Sequence, residues 1–396
     1  MKPLRICHLG KYYPPAPGGI ETHTRTLARA QAELGAKVQV FCVNHGGSST
    51  LLEADGPVEV TRFGRIGSAL KLDFCPDLIQ GLRRVEADIL HLQVPNPTMI
   101  LALLIARPRA PIVVAYQSDV INQRLRAALF RPFERRAYRR VRMILPSSPE
   151  YCGGSPFLRA YADRIQVLPM GIDLKPYLEP SAADLDASRR VREEHGRGGP
   201  LWLCAGRMVY YKGLINAIRA LQHVEGRLIL IGGGPDAPLL QAEARRLGVS
   251  ERVDFRGNLP HYLDVVPYYL AADAFWFPSN ARSEAFGLVQ VEAMASGCPV
   301  INTKIPHSGV PWVSRHEESG LTVAMNDPVA FALAARRLLD EPGLRLRLGE
   351  AARRRAAVEF DHRVMAKRSM AIYQRVLDDP GLAGRRGRPV MVPSLP

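Results

Sequence analysis

Arg282-Ser283-Glu284-Ala285-Phe286-Gly287-Leu288-Val289-Gln290-Val291-Glu292-Ala293-Met294-Ala295-Ser296-Gly297 sets two glutamates around a glycine turn that leads into an apolar run. Phe277-Pro278-Ser279 before it reads as the end of a strand, and Leu288 to Ala295 as a helix. Glu284 is thereby expected at the strand's C-terminal lip, the ligand edge of an open α/β sheet. Backbone N–H groups around Gly287, Leu288 and Val289 face the same crevice and suit a phosphate. Glu292, farther along the helix, offers a carboxylate to a diol such as a ribose. An acid for a sugar, an acid for a ribose and a helix end between them fit a nucleotide-sugar. The plainer alternative makes Glu284 a loop acid near a helix cap and Glu292 part of an exposed face.

The whole string resembles the donor-site motif of the retaining glycosyltransferases of family four. That resemblance implies an α/β GT-B fold: two Rossmann-like domains whose parallel sheets face a deep interdomain cleft, with a C-terminal helix crossing back to the first domain. It also implies that Glu284 holds the hydroxyls of the transferred sugar, that Glu292 holds the ribose, and that Phe286 to Val289 line the donor. It covers nearly all of the chain and is strongest from Ala274 to Val300.

Outward from this stretch, strand-like apolar runs alternate with helical patterns, as parallel sheets with crossover helices require. The first half offers strands at Leu4–Leu9, Val38–Val43, Val58–Arg62, Ile89–Leu92, Ile112–Ala115, Met143–Pro146 and Ile165–Leu168. A turn at Leu168 to Asp173 and a polar stretch from Ser181 to Gly199 mark the domain boundary. A second series follows at Leu201–Ala205, Arg227–Ile231, Val253–Phe255, Ala274–Phe277 and Val300–Asn302. The expected domains are residues 1–172, completed by a helix near 360–378, and residues 173–358. The basic tail 384–396 reads as disordered.

Gly206-Arg207-Met208-Val209-Tyr210-Tyr211-Lys212-Gly213 follows the strand Leu201–Ala205 directly. Arg207 and Lys212 rise at the same edge as Glu284. A diphosphate leaving group gains negative charge as its bond to the sugar breaks, and two fixed cations stabilise that charge. Alone, such a pair would be two surface cations on a loop; the resembling family has a matching Arg and Lys that bind the donor diphosphate. Gly18-Gly19-Ile20-Glu21 opens the first helix, where paired glycines let a phosphate approach the backbone. The family's Gly-Gly touches the donor phosphate there. Tyr12, in Lys11-Tyr12-Tyr13-Pro14-Pro15, forms a lip that faces acceptor.

His91 and Gln93 share one face of the strand beginning at Ile89. Many family members have His-x-His here, with a histidine near the reacting sugar; this chain has Gln93 at the second position. His91 is carried as a catalytic candidate against a structural alternative, and Gln93 as a sugar contact. In Tyr116-Gln117-Ser118-Asp119, Gln117 stands where relatives often have histidine, and Asp119 either binds an acceptor hydroxyl or caps a helix. Gly257-Asn258 lies where the family positions the nucleotide base. Ile231-Gly232-Gly233-Gly234-Pro235 lacks dinucleotide spacing and reads as a structural turn.

No D-x-D stands at a strand end, so neither a metal nor another cofactor is expected; Arg207, Lys212 and a helix dipole take the metal's role. Six scattered cysteines with no C-x-x-C pair suit a reducing cytosol. The strand-like start leaves no signal peptide, and the longest apolar run, Met99 to Ala106, is too short to span a bilayer. A formal charge of +15 asks for an anionic partner. Between Asn122 and Arg142, eight arginines alternate with apolar residues, a pattern that suits an anionic membrane surface or a solvated basic face. Nucleic acid is disfavoured, because no aromatic platform or helix-turn-helix pattern is present.

The expectation is a retaining, metal-independent hexosyltransferase, cytoplasmic and peripheral on the inner membrane face. It would move a sugar from a nucleotide-sugar, GDP-mannose before UDP-glucose, to a glycan or polyprenyl-linked acceptor in bacterial surface polysaccharide synthesis. A same-fold nucleotide-sugar hydrolase or epimerase and a non-catalytic basic binding protein are the alternatives.

Overall fold

A computed structural model describes residues 2–69, 72–117 and 124–379, with only the backbone described for residues 124–128 and Pro342. Asp119 and the tail 384–396 lie outside these residues. The chain divides into two compact units, Met1–Ile172 with His362–Pro396, and Asp173–Asp361.

The first unit holds a seven-stranded sheet of β1 (Arg5–Leu9), β2 (Lys37–Val43), β3 (Leu51–Asp55), β4 (Val58–Phe63), β7 (Ile89–Val94), β8 (Ile112–Tyr116) and β9 (Val141–Pro146). Its order is β3-β4-β2-β1-β7-β8-β9, and only the edge pair β3–β4 runs antiparallel. A separate hairpin pairs β5 (Gly67–Ala69) with β6 (Leu72–Phe74). The central strands are buried along both faces, His91 and Gln93 of β7 included. In the second unit, β10 (Leu201–Ala205), β11 (Arg227–Ile231), β12 (Val253–Gly257), β13 (Ala274–Phe277), β14 (Val300–Thr303) and β15 (Gly320–Val323) form a wholly parallel sheet, ordered β12-β11-β10-β13-β14-β15. Trp202 stacks on Trp276 across adjacent strands, with ring centroids 5.1 Å apart, at the centre of that unit's core.

Three sequence expectations are corrected. Ile165–Leu168 is not a strand; Ile165 makes only an isolated bridge to Ile144. Its neighbour β9 ends at Pro146, whose nitrogen carries no proton to extend the ladder. The chain divides at the turn, between Ile172 and Asp173, and the polar stretch 181–199 lies inside the second unit, where Ala182–Val191 is a helix. Ser181 and Asp184 start it with a reciprocal capping box, a helix signal embedded in what reads as a polar run. The basic segment from Asn122 is not continuous either, since its helix ends at Tyr138 and Val141 already belongs to β9.

The helix His362–Asp378 belongs to the first unit, where Met365, Ile372, Tyr373 and Val376 enter the core beside the helix Gly19–Glu33. Polar groups fix its register. Gln31 donates to Ser369 Oγ at 2.7 Å and to Tyr373 Oη at 3.2 Å, and the Tyr373 hydroxyl meets His91 Nδ1 at 2.5 Å. Tyr373 Oη thus accepts from Gln31 and pairs with the imidazole at the same time. The Tyr373→Phe variant strips His91 Nδ1 and Gln31 of a partner in a buried site. Chemical denaturation should show a loss of about 1–3 kcal/mol with the m-value unchanged; a loss below experimental error would mean the network does not hold the helix.

Candidate functional site

Because all six strands of the second unit run the same way, the segments after their C-terminal ends gather along one edge. Backbone bonds lace them together. Gly206 N–H donates to the Ile231 carbonyl at 2.9 Å, Met208 N–H to Gly233 at 2.8 Å and Gly232 N–H to Gly257 at 2.7 Å. A Cβ on Gly232 would lie 2.1 Å from the Gly206 carbonyl oxygen, and one on Gly234 2.3 Å from that of Met208. The Gly232–Gly234 run is thus a close-packing device. Asn258, exposed, lies against Gly233, where a Cβ would sit 3.2 Å from Nδ2.

Lys212 and Glu284 meet on this edge, with Nζ 2.5 Å from Oε2 and side chains only 13% and 11% exposed. Two features bring them together. Gly213, at φ 60°, lets the segment after β10 press on the segment after β13, since a Cβ there would stand 2.1 Å from the Pro278 carbonyl oxygen. Asn280 N–H then donates to the Tyr211 carbonyl at 2.9 Å. Ser279 Oγ donates to the same Glu284 oxygen at 3.3 Å, and Lys212 Nζ lies 5.0 Å from the centre of the Phe277 ring. Arg207 is exposed and donates to the Tyr211 hydroxyl at 3.0 Å, which steers its guanidinium without neutralising it.

The helix Leu288–Ala295 begins beside this pair. Gly287, its N-cap, has φ 79° and no side chain to satisfy the first amides; a Cβ there would strike the Phe277 ring at 2.6 Å. Leu288 and Val289 are partly exposed. The helix start thus presents bare donors and a positive dipole end next to a lysine. Phe286, expected to line the donor, instead buries its ring against Phe360 and Trp312, with centroids at 5.6 and 6.4 Å. Its side chain is packing, and any contact with ligand falls to the backbone.

Glu292 is partly exposed at its surface yet lies deep in the unit, where Tyr269 donates to Oε2 at 2.9 Å. Desolvation pushes this carboxyl up to about 7, against the lowering pull of the Tyr269 bond and of Lys212. Beneath the edge, Gln290 donates to the Phe286 carbonyl at 2.6 Å, and Asn302 donates to Gln290 Oε1 at 3.3 Å and to the Ser314 carbonyl at 2.9 Å. Ser308 Oγ donates to the Glu284 carbonyl. This buried network fixes the glutamate-bearing segment on the segment that follows β14. Ser279, Tyr269, Tyr211, Gln290 and Asn302 were not singled out in the sequence. Ser279 sits in a tripeptide already recognised as a strand end; Tyr269 stands 23 positions before Glu292 on another helix, with no local signal.

In the first unit, Gly18 and Gly19 are exposed at an N-terminus with no side-chain cap, and the Glu21 carboxylate folds towards Gly18. Tyr12 donates to Asp73 at 3.4 Å, and Lys11 reaches the same carboxylate at 3.6 Å. Gln117 Nε2 donates to Gln93 Oε1 at 3.1 Å across adjacent strand ends; Gln93 Nε2 and Gln117 Oε1 are enclosed without partners. His91 departs from its expected role. It is fully buried, 4.9 Å from the His8 ring, with Nδ1 taken by Tyr373. Burial, with His8 and His23 nearby, holds it well below the usual imidazole range. Enclosed in this way, His91 is a neutral residue of the sheet–helix interface.

Among the described residues no group of three His, Cys, Asp or Glu side chains is placed to hold a metal, and no helix is long and apolar enough to cross a membrane.

Residues 17–176 match the family described as Glycosyltransferase Family 4, and residues 188–355 the family described as Glycosyl transferases group 1. A D-rhamnosyltransferase of Pseudomonas aeruginosa is 31% identical over 350 residues, covering 86% of this chain and 87% of that protein. The O-antigen chain mannosyltransferase C of Escherichia coli is 29% identical, covering 95% of this chain and 99% of its own length. Among solved structures, sucrose-phosphate synthase from Thermosynechococcus elongatus superposes with a TM-score of 0.75 at 22% identity, covering 95% of this chain and 99% of its own. The Anabaena protein HepE, in complex with UDP, superposes with a TM-score of 0.74 at 20% identity, covering 94% of this chain and 100% of its own. At these identities the two structures speak for the fold alone.

Glu292 has a pH signature. Its folded value, about 7, lies above the ordinary 4.5, so between those values the folded chain keeps a proton that the unfolded chain has released. Its contribution to stability therefore falls as pH rises from about 4.5 to about 7. The Glu292→Gln variant, which has no such proton to lose, should melt progressively higher relative to the parent across that window, approaching about 3 kcal/mol in its favour above pH 7. Parallel melting profiles from pH 4 to pH 8 would sink the assignment.

Proposed function

The chain belongs to the group 1 glycosyltransferases of the GT-B fold, and from that premise we propose that its second unit binds a nucleotide-sugar through Arg207, Lys212, Glu284, Glu292 and the start of the helix Leu288–Ala295. The observation that carries the proposal is the 2.5 Å Lys212–Glu284 pair beside the bare helix start. In the free protein the two charges neutralise each other. A bound donor gives each a new partner: the diphosphate takes Lys212, Arg207 and the helix amides, and the sugar hydroxyls take Glu284. Glu292 holds the ribose as a carboxylate, so the donor should bind less well below pH 7.

The reaction transfers the sugar's anomeric carbon from a diphosphate oxygen to an acceptor hydroxyl. As the old C–O bond breaks, its electron pair goes to the diphosphate, and Arg207, Lys212 and the helix dipole stabilise the added charge in place of a metal. The acceptor oxygen attacks from the face the diphosphate leaves, which retains the anomeric configuration, and its proton passes to the departing phosphate. Such a route needs no side-chain base, in keeping with the enclosed His91 and with Gln93 and Gln117 in place of histidines. In the first unit we assign Tyr12, Gln93 and Gln117 to sugar or acceptor and Gly18-Gly19 to the donor phosphate. The mannosyltransferase activity named for the Escherichia coli relative, with the GDP-mannose dependence named for a Mycolicibacterium smegmatis relative 32% identical over 52% of this chain, supports GDP-mannose as donor, and the O-antigen chain of the former supports a growing bacterial surface polysaccharide as acceptor. Leu129 and Phe133, 71% and 48% exposed among arginines, support a membrane-surface location for that acceptor.

Thermal-shift screening against GDP, UDP, dTDP and their sugars tests the donor. A ligand at 100 times its Kd should add about 2.7 kcal/mol, and stabilisation by uridine compounds alone would displace GDP-mannose. Arg207→Ala and Lys212→Ala should each cut turnover by roughly two to three orders of magnitude, like the loss of an oxyanion donor. Near-normal turnover in both folded variants would remove the phosphate-clamp assignment. Glu284→Gln should act in opposite directions on two measurements. It should lower kcat at least about tenfold because a transition-state contact is gone. It should also tighten the nucleoside diphosphate product, whose phosphate no longer competes with Glu284 for Lys212. Weaker product binding, with kcat unchanged, would refute the partner exchange. Vesicle co-sedimentation checks the membrane: binding should need anionic lipid and fade with salt, and equal binding to neutral vesicles would contradict it.

A further inference from the structure

A cleft of about 500 Å³ opens in the first unit among Arg109, Arg139, Arg140, Arg142, Val376 and Leu377. Arg109 precedes β8, Arg139 and Arg140 precede β9, and Arg142 is the second residue of β9. These strands are parallel neighbours, with Ile112 paired to Val141, so the cleft lies at their N-terminal ends. Gln93 and Gln117 stand at the other edge, roughly 16 Å away along a five-residue strand. The cleft is thus separate from every residue assigned above to donor or acceptor.

Three of its four arginines carry no counter-charge. No carboxylate lines it, and among the described residues Arg109, Arg139 and Arg140 form no ion pair. Arg140 is pinned by donation to the Pro108 carbonyl, while its Nη1 is enclosed with no partner. Asp378, at the end of the nearby helix, accepts from Gln374 at 2.8 Å and is not among the residues that line the cleft. Like-charged guanidinium groups gathered around one cleft repel one another, and a bound anion reverses that sign.

The chemistry selects the anion. Every cation here is arginine, whose fork matches two phosphate oxygens at once. The volume exceeds what one phosphate fills and suits a small-molecule ligand. No aromatic ring lines the cleft, so there is no platform on which a nucleic-acid base would stack. We propose that this arginine cleft is a second anion site that binds a diphosphate group, either of a soluble compound or of a lipid-linked carrier.

Calorimetric titration of the full chain with inorganic pyrophosphate at about 150 mM salt tests this, where long-range attraction is screened. The Arg207→Ala/Lys212→Ala background removes the proposed donor clamp, so that the two sites are told apart. Binding should persist in that background and weaken at least about tenfold when Arg109→Ala and Arg139→Ala are added, with the melting temperature unchanged, because both side chains are exposed. Absence of pyrophosphate binding in the clamp-less background, or binding insensitive to the two cleft substitutions, would overturn the site while leaving the proposed function intact. Vesicles containing phosphatidylglycerol separate the sources: pyrophosphate that releases the protein from them assigns the lipid-linked group, and pyrophosphate that binds without releasing it assigns the soluble one.

Discussion

The segments after β10 and β13 approach so closely that no side chain fits at Gly213, and the candidate site depends on that contact. A Cβ at this position would meet the Pro278 carbonyl oxygen at 2.1 Å. The approach carries Lys212 onto Glu284 and aligns Asn280 N–H with the Tyr211 carbonyl, whose hydroxyl in turn steers Arg207. Gly287 does the same on the other flank, where the Phe277 ring leaves no room for a Cβ. Glycines here set how near two chain segments come, and that distance sets which charges meet.

The two units use buried polar groups differently. In the first unit, burial holds His8 and His23 down to about 4 and His91 well below its ordinary value, so all three are neutral fixtures of the sheet–helix interface. Unfolding exposes them to protonation near their ordinary 6.5, so their contribution to stability is kept above that value and lost as pH falls towards 4. In the second unit, Glu292 is raised by the same desolvation and acts in the opposite sense, favouring the folded chain at lower pH. One physical cause, loss of water around a charged form, thus produces opposing pH effects.

The large positive charge is also divided by role. Some arginines are spent on structure: Arg192 and Arg345 converge on the buried Asp273, and Arg252 donates to three backbone carbonyls. Arg207 is held by a tyrosine hydroxyl, and among the described residues Arg109, Arg139 and Arg140 of the cleft form no ion pair. The latter two groups keep their charge available, which is what anion binding at two separate sheet edges requires.

Local pattern in the sequence was enough for the parallel α/β architecture, because apolar runs of strand length alternating with amphipathic helices admit few other folds. The glutamate-bearing stretch with its helix start, and the pairing of Arg207 with Lys212 on one loop, were legible for the same reason: strand end, glycine and helix lie within a few residues of each other. Tertiary structure alone decided what depends on contacts between distant segments. Tyr269 reaches Glu292 and raises the question of its proton, Tyr373 closes the environment of His91, and Phe360 and Trp312 turn Phe286 inward. A residue's type and spacing indicate what chemistry it can do. Whether it faces solvent or a neighbour from elsewhere in the chain is set by packing, and packing made His91 structural and left Lys212 beside Glu284.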